Sequence, residues 1–185
     1  MFIQTEVTPN PATLKFLPGR PVMTEGVVDF TEAAKAEAVS PLAARLFAVD
    51  GVAGVYLGAD FISVTKNSAD DWYMMKPAVL GAIMEHFMSD DPVLAAGADI
   101  DDDVKVDEAD ATVKQIKELI DTRVRPAVAQ DGGDIVFQGF ERGIVYLHMR
   151  GACSGCPSSV VTLKNGIENL LKYYVPEVVE VRSVS

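Results

Sequence analysis

Residues 99–110, DIDDDVKVDEAD, hold seven carboxylates and one lysine. A stretch so dense in like charge cannot bury enough apolar surface to offset the entropy of ordering it. It therefore divides the 185-residue chain, and each half must fold around its own core. The expectation is an α+β protein of two small domains, residues 1–88 and 111–185, joined by an acidic linker over residues 89–110. The run supplies −6 of a formal net charge of −11, so the rest of the chain is only mildly acidic. A solvated, self-repelling linker is the simplest use of it. A docking site for a basic partner is the sharper alternative. The overall charge argues against a nucleic-acid partner.

Hydrophobic residues make up 49% of the chain and charged ones 23%, enough for packed cores. No apolar run approaches the roughly 18 residues of a membrane helix. The start, MFIQTEVTPNP, has neither a basic n-region nor an Arg-rich amphipathic pattern. The default compartment expected from this is the cytosol. In a reducing compartment two cysteines point to metal or redox chemistry rather than to a disulfide.

In the first half, 2–7 and 13–17 read as strands around the turn TPNP, and GVVDF as a weaker third. Ser40 and Pro41 read as the N-cap and first residue of a helix carrying Leu42, Leu46 and Val49. GVAGVYLG and DFISVTKN form a hairpin across Gly58 to Asp60. Trp72, Met75, Val79, Ile83 and Phe87 fall at helical spacing, with a start or bend near Pro77. The second half opens on a capping box, Thr112 with Gln115, and an apolar face of Val113, Ile116, Ile120 and Val124. QDGGD stops that helix by placing Gly132 or Gly133 in the left-handed region. Two strands meet at a tight turn through Glu141, Arg142 and Gly143. After the segment GACSGCPSS, a helix carries Val160, Leu163, Ile167, Leu170 and Tyr174, and a last strand follows. The order α-β-β-α-β predicts helices packed on a small mixed sheet.

GACSGCPSS contains both cysteines, Cys153 and Cys156. Cys153 follows a strand, and Cys156 precedes a helix opened by Pro157. Free N–H groups and the helix dipole there favour a thiolate at the nearer cysteine. The small residues around them let backbone amides approach a bulky anionic group. Three readings stay open. Two chains share a Cys₄ iron–sulfur cluster or zinc ion, or the pair is a dithiol redox site, or the thiols are inert. A hairpin ahead of the motif, rather than the βαβ lead-in of a thioredoxin unit, favours the shared site. His148, on the preceding strand, is a candidate third ligand, though such a histidine is more often solvated or core-satisfied. His86 carries less information still.

The stretch from RPAVAQDGGD through GACSGCPSS to TLKNGIE resembles the C-terminal domain of NifU, the module of Nfu-type iron–sulfur scaffold and carrier proteins. TPNPATLKFLPG, FISVTK and DW are similar to the N-terminal domain of Nfu proteins. The resemblance implies a [4Fe–4S] cluster bound between two subunits through Cys153 and Cys156. It implies a homodimer when loaded, upstream assembly proteins as suppliers, and apo iron–sulfur proteins as acceptors. It implies a late carrier or alternative scaffold rather than an enzyme, and, with no transit pattern at the start, a bacterial cytoplasmic member, with a processed mitochondrial form as the alternative. The N-terminal half, which has no cysteine, then reads as a protein-interaction module.

Overall fold

The structure is a computed structural model. It describes residues 1–98, 100, 109–155 and 157–184, with the backbone alone for 157–159. Cys156 and most of the acidic run lie outside the described residues. The chain forms two compact units, Met1–Asp102 and Asp103–Ser185, each with its own apolar core.

The first unit is a five-stranded sheet of order β1-β2-β5-β4-β3, antiparallel at every pairing. The strands are β1 (Gln4–Val7), β2 (Thr13–Leu17), β3 (Val28–Phe30), β4 (Val52–Leu57) and β5 (Ile62–Lys66). Leu14, Phe16, Ile62 and Val64 alternate onto the core face. Three helices supply the rest: α1 (Ala33–Val39), α2 (Pro41–Phe47) and α3 (Trp72–Met88). Helix α1 is absent from the sequence expectations, because AAKAEAV has helix propensity without an apolar period and buries only Ala36. Ser40 caps α2 as expected: its Oγ accepts from Ala43 N at 3.0 Å and donates to Val93 O at 2.6 Å. Residues 93–95, assigned to the linker by sequence, are thereby tied to this unit. Ala95 N donates to Val39 O, and Val93, Leu94 and Ile100 pack on its core.

Helix α3 begins at Trp72 rather than at Pro77, because Asp71 accepts from Tyr73 N at 2.9 Å and fixes the first turn. Pro77 sits inside it, where its missing N–H leaves the Tyr73 carbonyl without an intrahelical donor. His86, near the other end of α3, is completely buried, and neither ring nitrogen has a hydrogen-bond partner. Burial lowers its pKa first, and the Arg45 charge on α2 adds to that, while Asp91 opposes it. The folded unit thus binds this proton less readily than the unfolded chain does. Its stability should fall as pH drops through the ordinary histidine range toward the lowered folded value. We expect the melting temperature of the first unit to decline between pH 7.5 and pH 5.5. His86→Leu should flatten that decline, which thermal scans over the same pH range will read.

The second unit is a three-stranded mixed sheet of order β6-β7-β8. Strands β6 (Gly133–Glu141) and β7 (Ile144–Gly151) are antiparallel, and β8 (Glu180–Val184) runs parallel to β7. The β6–β7 turn is Arg142-Gly143, with φ of 53° and 80°, the two left-handed positions of a tight hairpin. Helix α6 (Pro157–Tyr174) makes the crossover to β8, which lets the last strand lie parallel. Helix α4 (Ala111–Leu119) is capped by Asp110, whose side chain accepts from Thr112 N at 2.8 Å. That replaces the Thr112–Gln115 capping box. The Gln115 side chain donates instead to Tyr174 O at 3.2 Å. A π-turn, Ile120–Val124, joins α4 to α5 (Arg125–Gln130). Its widened i→i+5 bond, Arg125 N to Ile120 O, precedes Pro126, which has no N–H to give an α-helical ladder. Val113, Ile116, Ile120 and Val124 are all buried, as their spacing predicts. Gly132, φ 77°, takes the left-handed position that ends α5.

Candidate functional site: the cysteine loop

The loop after β7 is anchored to the glycine turn before β6. Gly133 pairs with Gly151 at the open end of the hairpin, and Ala152 N donates to Gly132 O at 3.1 Å. Tight turns follow, with Cys153 N on Arg150 O and Ser154 N on Gly151 O, at 3.3 and 3.1 Å. Gly151 and Gly155 have φ of 59° and 80°, which residues with a side chain adopt only with strain.

Cys153 is 8% exposed and packs with the core of its own unit. Gly133 makes the room. A Cβ there would collide with Cys153 Sγ and lie 2.9 Å from Cys153 N. Burial pushes the Cys153 thiol up to about 12, helped by the Asp134 and Asp131 charges, against a hydrogen bond from the Asp134 backbone. Cys153 thus lies in surroundings that favour the thiol, whereas the thiolate-favouring surroundings are expected at the cysteine nearer the helix start. That cysteine is Cys156, next in sequence to Pro157 at the start of α6, and it is outside the described residues. In the folded apo-chain Cys153 should therefore alkylate slowly at pH 7.5, and more than about tenfold faster once unfolded in urea. Mass spectrometry of iodoacetamide-treated peptides measures this.

A charged network flanks the loop. Arg125 grips Asp134 through two bonds, Nε to Oδ1 at 2.9 Å and Nη2 to Oδ2 at 3.0 Å. Asp134 is 4% exposed. Asp121 lies 3.6 Å from Arg125 Nη1 and accepts from Lys117 Nζ at 2.7 Å. The sequence reading missed Gly133 and this pair. One signal was available: Gly132 alone suffices for the helix stop, so the second glycine called for a different cause, a close backbone approach. His148 lies on the face of β7 opposite Val145, Leu147 and Met149, and it is half-buried. Among the described residues no three His, Cys, Asp or Glu side chains converge as a metal site.

Residues 3–90 match the family described as scaffold protein Nfu/NifU N terminal, and residues 116–182 match the NifU-like domain. The chain belongs to the Nfu/NifU family. Its relatives include the proteins named NFU1 iron-sulfur cluster scaffold homolog, mitochondrial, of Drosophila sechellia and Drosophila simulans. Each is 52% identical over all 185 residues. The chain spans 65% of the length of each. A solved NifU-like protein from Saccharomyces cerevisiae is 25% identical over 51% of this chain and 85% of that one, with a TM-score of 0.41. The relatives' names correct the compartment expected for this Nfu/NifU chain. They are mitochondrial, and a bacterial cytoplasm is not supported. Since the chain spans only part of those proteins, what residues 1–11 lack says nothing about targeting.

Proposed function

We propose that this chain is an iron–sulfur cluster scaffold and carrier, with the cluster as its cargo. Cys153 and Cys156 of two chains supply four thiolates to one [4Fe–4S] cluster, which then passes to an apo-protein. The observation that carries this is the construction of the loop. Cys153 sits on a hinge of small residues between Gly151 and Gly155, against Gly133, with the Asp134 N–H aimed at its sulfur. Backbone donors and little side-chain bulk suit a large anionic cargo. The family match and the names of the relatives support the same reading.

Cys153 is buried against its own core with its thiol protonated, so holding a cluster requires that this thiol turn outward and lose its proton. The two glycines in left-handed conformation are the residues able to absorb that change. Release is the reverse: acceptor thiolates displace these one by one, and Cys153 regains its buried, protonated state. Only iron–thiolate bonds are exchanged, one broken on this chain for each one made to the acceptor, so the role is that of a carrier and not of an enzyme. A dithiol oxidoreductase fits less well, because a thiol held near 12 makes Cys153 a poor nucleophile. Anaerobic reconstitution followed by sedimentation tests the proposal. The expected result is an apo-monomer and a loaded dimer with about four irons per dimer. A loaded monomer would require ligands from outside the chain, such as small thiols, or His148, and would overturn the shared site.

A further inference from the structure

Helix α3, WYMMKPAVLGAIMEHFM, has only Lys76, Glu85 and His86 as polar residues. A helix with so few polar residues is expected to be buried over most of its circumference. This one buries Met75, Val79, Ile83 and His86 against the first unit and leaves the opposite face open. Tyr73 is 85% exposed, Met74 74%, Met88 76% and Met84 37%, and Pro77 and Ala78 are exposed between them. At about 100° per residue Tyr73, Met84, Pro77, Met88 and Met74, with the exposed Gly81 among them, fall within about 100° of arc and form one apolar stripe, with the exposed Glu85 and then Ala78 beyond its edge. Such a stripe on a soluble unit marks an interaction surface.

Charge around the stripe selects its occupant. Between residues 67 and 98 there are five carboxylates, Asp70, Asp71, Glu85, Asp90 and Asp91, and a single Lys76. The helix is thus entered and left through acidic pairs. Arg45, from α2, already bridges Glu85 and Asp91 at 2.9 and 2.8 Å and offers no net positive rim. The acidic run at 99–110 follows directly in sequence. An anionic lipid surface is repelled by this arrangement, because membrane-lying helices carry basic margins. A second copy brings another net charge of −11. A helical segment with its own apolar face and Lys or Arg along the margins is complementary in both respects. The three methionines are unbranched and polarizable, which lets one surface accommodate several such segments.

We propose that the outward face of α3 is a docking surface for a basic amphipathic helix presented by another protein. This goes beyond the cluster reading and does not depend on it, since the surface lies in the cysteine-free unit.

The test uses the full apo-chain and a fluorescein-labelled 18-residue helical peptide of Leu, Ala and Lys, with Leu on one face and Lys at its margins. A second peptide replaces each Lys by Glu. Anisotropy titrations are run on the wild type and on Met74→Gln/Met88→Gln, whose far-UV spectrum and melting temperature are checked first. The expected result is saturable binding of the basic peptide, weakened at least about tenfold in the double variant through lost apolar burial. The acidic peptide should bind at least about tenfold more weakly, and amide-exchange protection by the basic peptide should centre on α3. Equal binding by the double variant, equal binding of the acidic peptide, or no saturable binding overturns the proposal. So does a concentration-dependent apo-dimer abolished by the double variant, which would make the occupant a second copy. Binding to phosphatidylcholine–phosphatidylglycerol vesicles that the double variant loses would overturn it in favour of a membrane.

Discussion

Cys153→Ser and Cys156→Ser should each lose the cluster almost completely. In a two-fold dimer one substitution removes two of the four thiolates, and a serine hydroxyl is a poor ligand where iron wants soft sulfur. Reconstituted anaerobically, the wild type should hold about four irons per dimer and either variant close to none. The fold should survive in both. For Cys153→Ser there is a specific reason to check it. The thiol is buried beside Gly133 within the apolar core, and a hydroxyl in its place is more polar but smaller. A destabilisation of about 1 kcal/mol is expected for the second unit, from placing a hydroxyl at an apolar site that still offers the Asp134 N–H as a partner. Calorimetry separates that modest effect from the loss of iron. A Cys156→Ser protein that kept its full iron would remove the shared four-thiolate site from consideration.

How much of this was legible beforehand depended on the range of the cause. The strands of the first sheet were readable because period-two alternation is local, as in Leu14 and Phe16. Ser40-Pro41 was readable because cap chemistry is local, and so was Gly132 at the helix stop. Helix α1 escaped because alanines carry propensity but no face. The true cap of α4 escaped because Asp110 belongs to an acidic run, which hid one functional carboxylate among many solvated ones. Residues 93–95 read as linker, yet their carbonyl and amide partners, Ser40 and Val39, lie more than fifty residues back. At the site the two cysteines were visible as a pair. The burial of Cys153 was not, because it arises from Gly133 across the hairpin. The sequence offers the glycine and the cysteine, twenty residues apart, and only register brings them together.

Arg125→Met should be among the most damaging single substitutions in the second unit that leave both cysteines in place. It strands Asp134, a carboxylate 4% exposed that accepts both guanidinium bonds. Removing one partner of a buried pair leaves an uncompensated charge and costs about 3 kcal/mol. For a unit of this size that corresponds to a melting point lower by roughly 10 °C or more. The first unit, with its separate core, should melt unchanged and serve as an internal reference. Asp134 has a second role through its backbone, since its N–H is bonded to the Cys153 sulfur. A further variant separates the two. Arg125→Met/Asp134→Leu removes both charges and keeps the backbone donor. Replacing a buried pair by apolar side chains is often close to neutral, so this protein should recover at least half of the lost stability. If the guanidinium–carboxylate pair serves only to hold the β6 end against α5, the double variant should also take up cluster normally. Its Cys153 should alkylate faster than in the wild type, because one of the two carboxylates that favour the protonated thiol is gone. Burial, the larger cause, should keep that reaction well short of the unfolded rate. Recovery of stability without recovery of iron binding would assign the Asp134 carboxylate a direct part in loading.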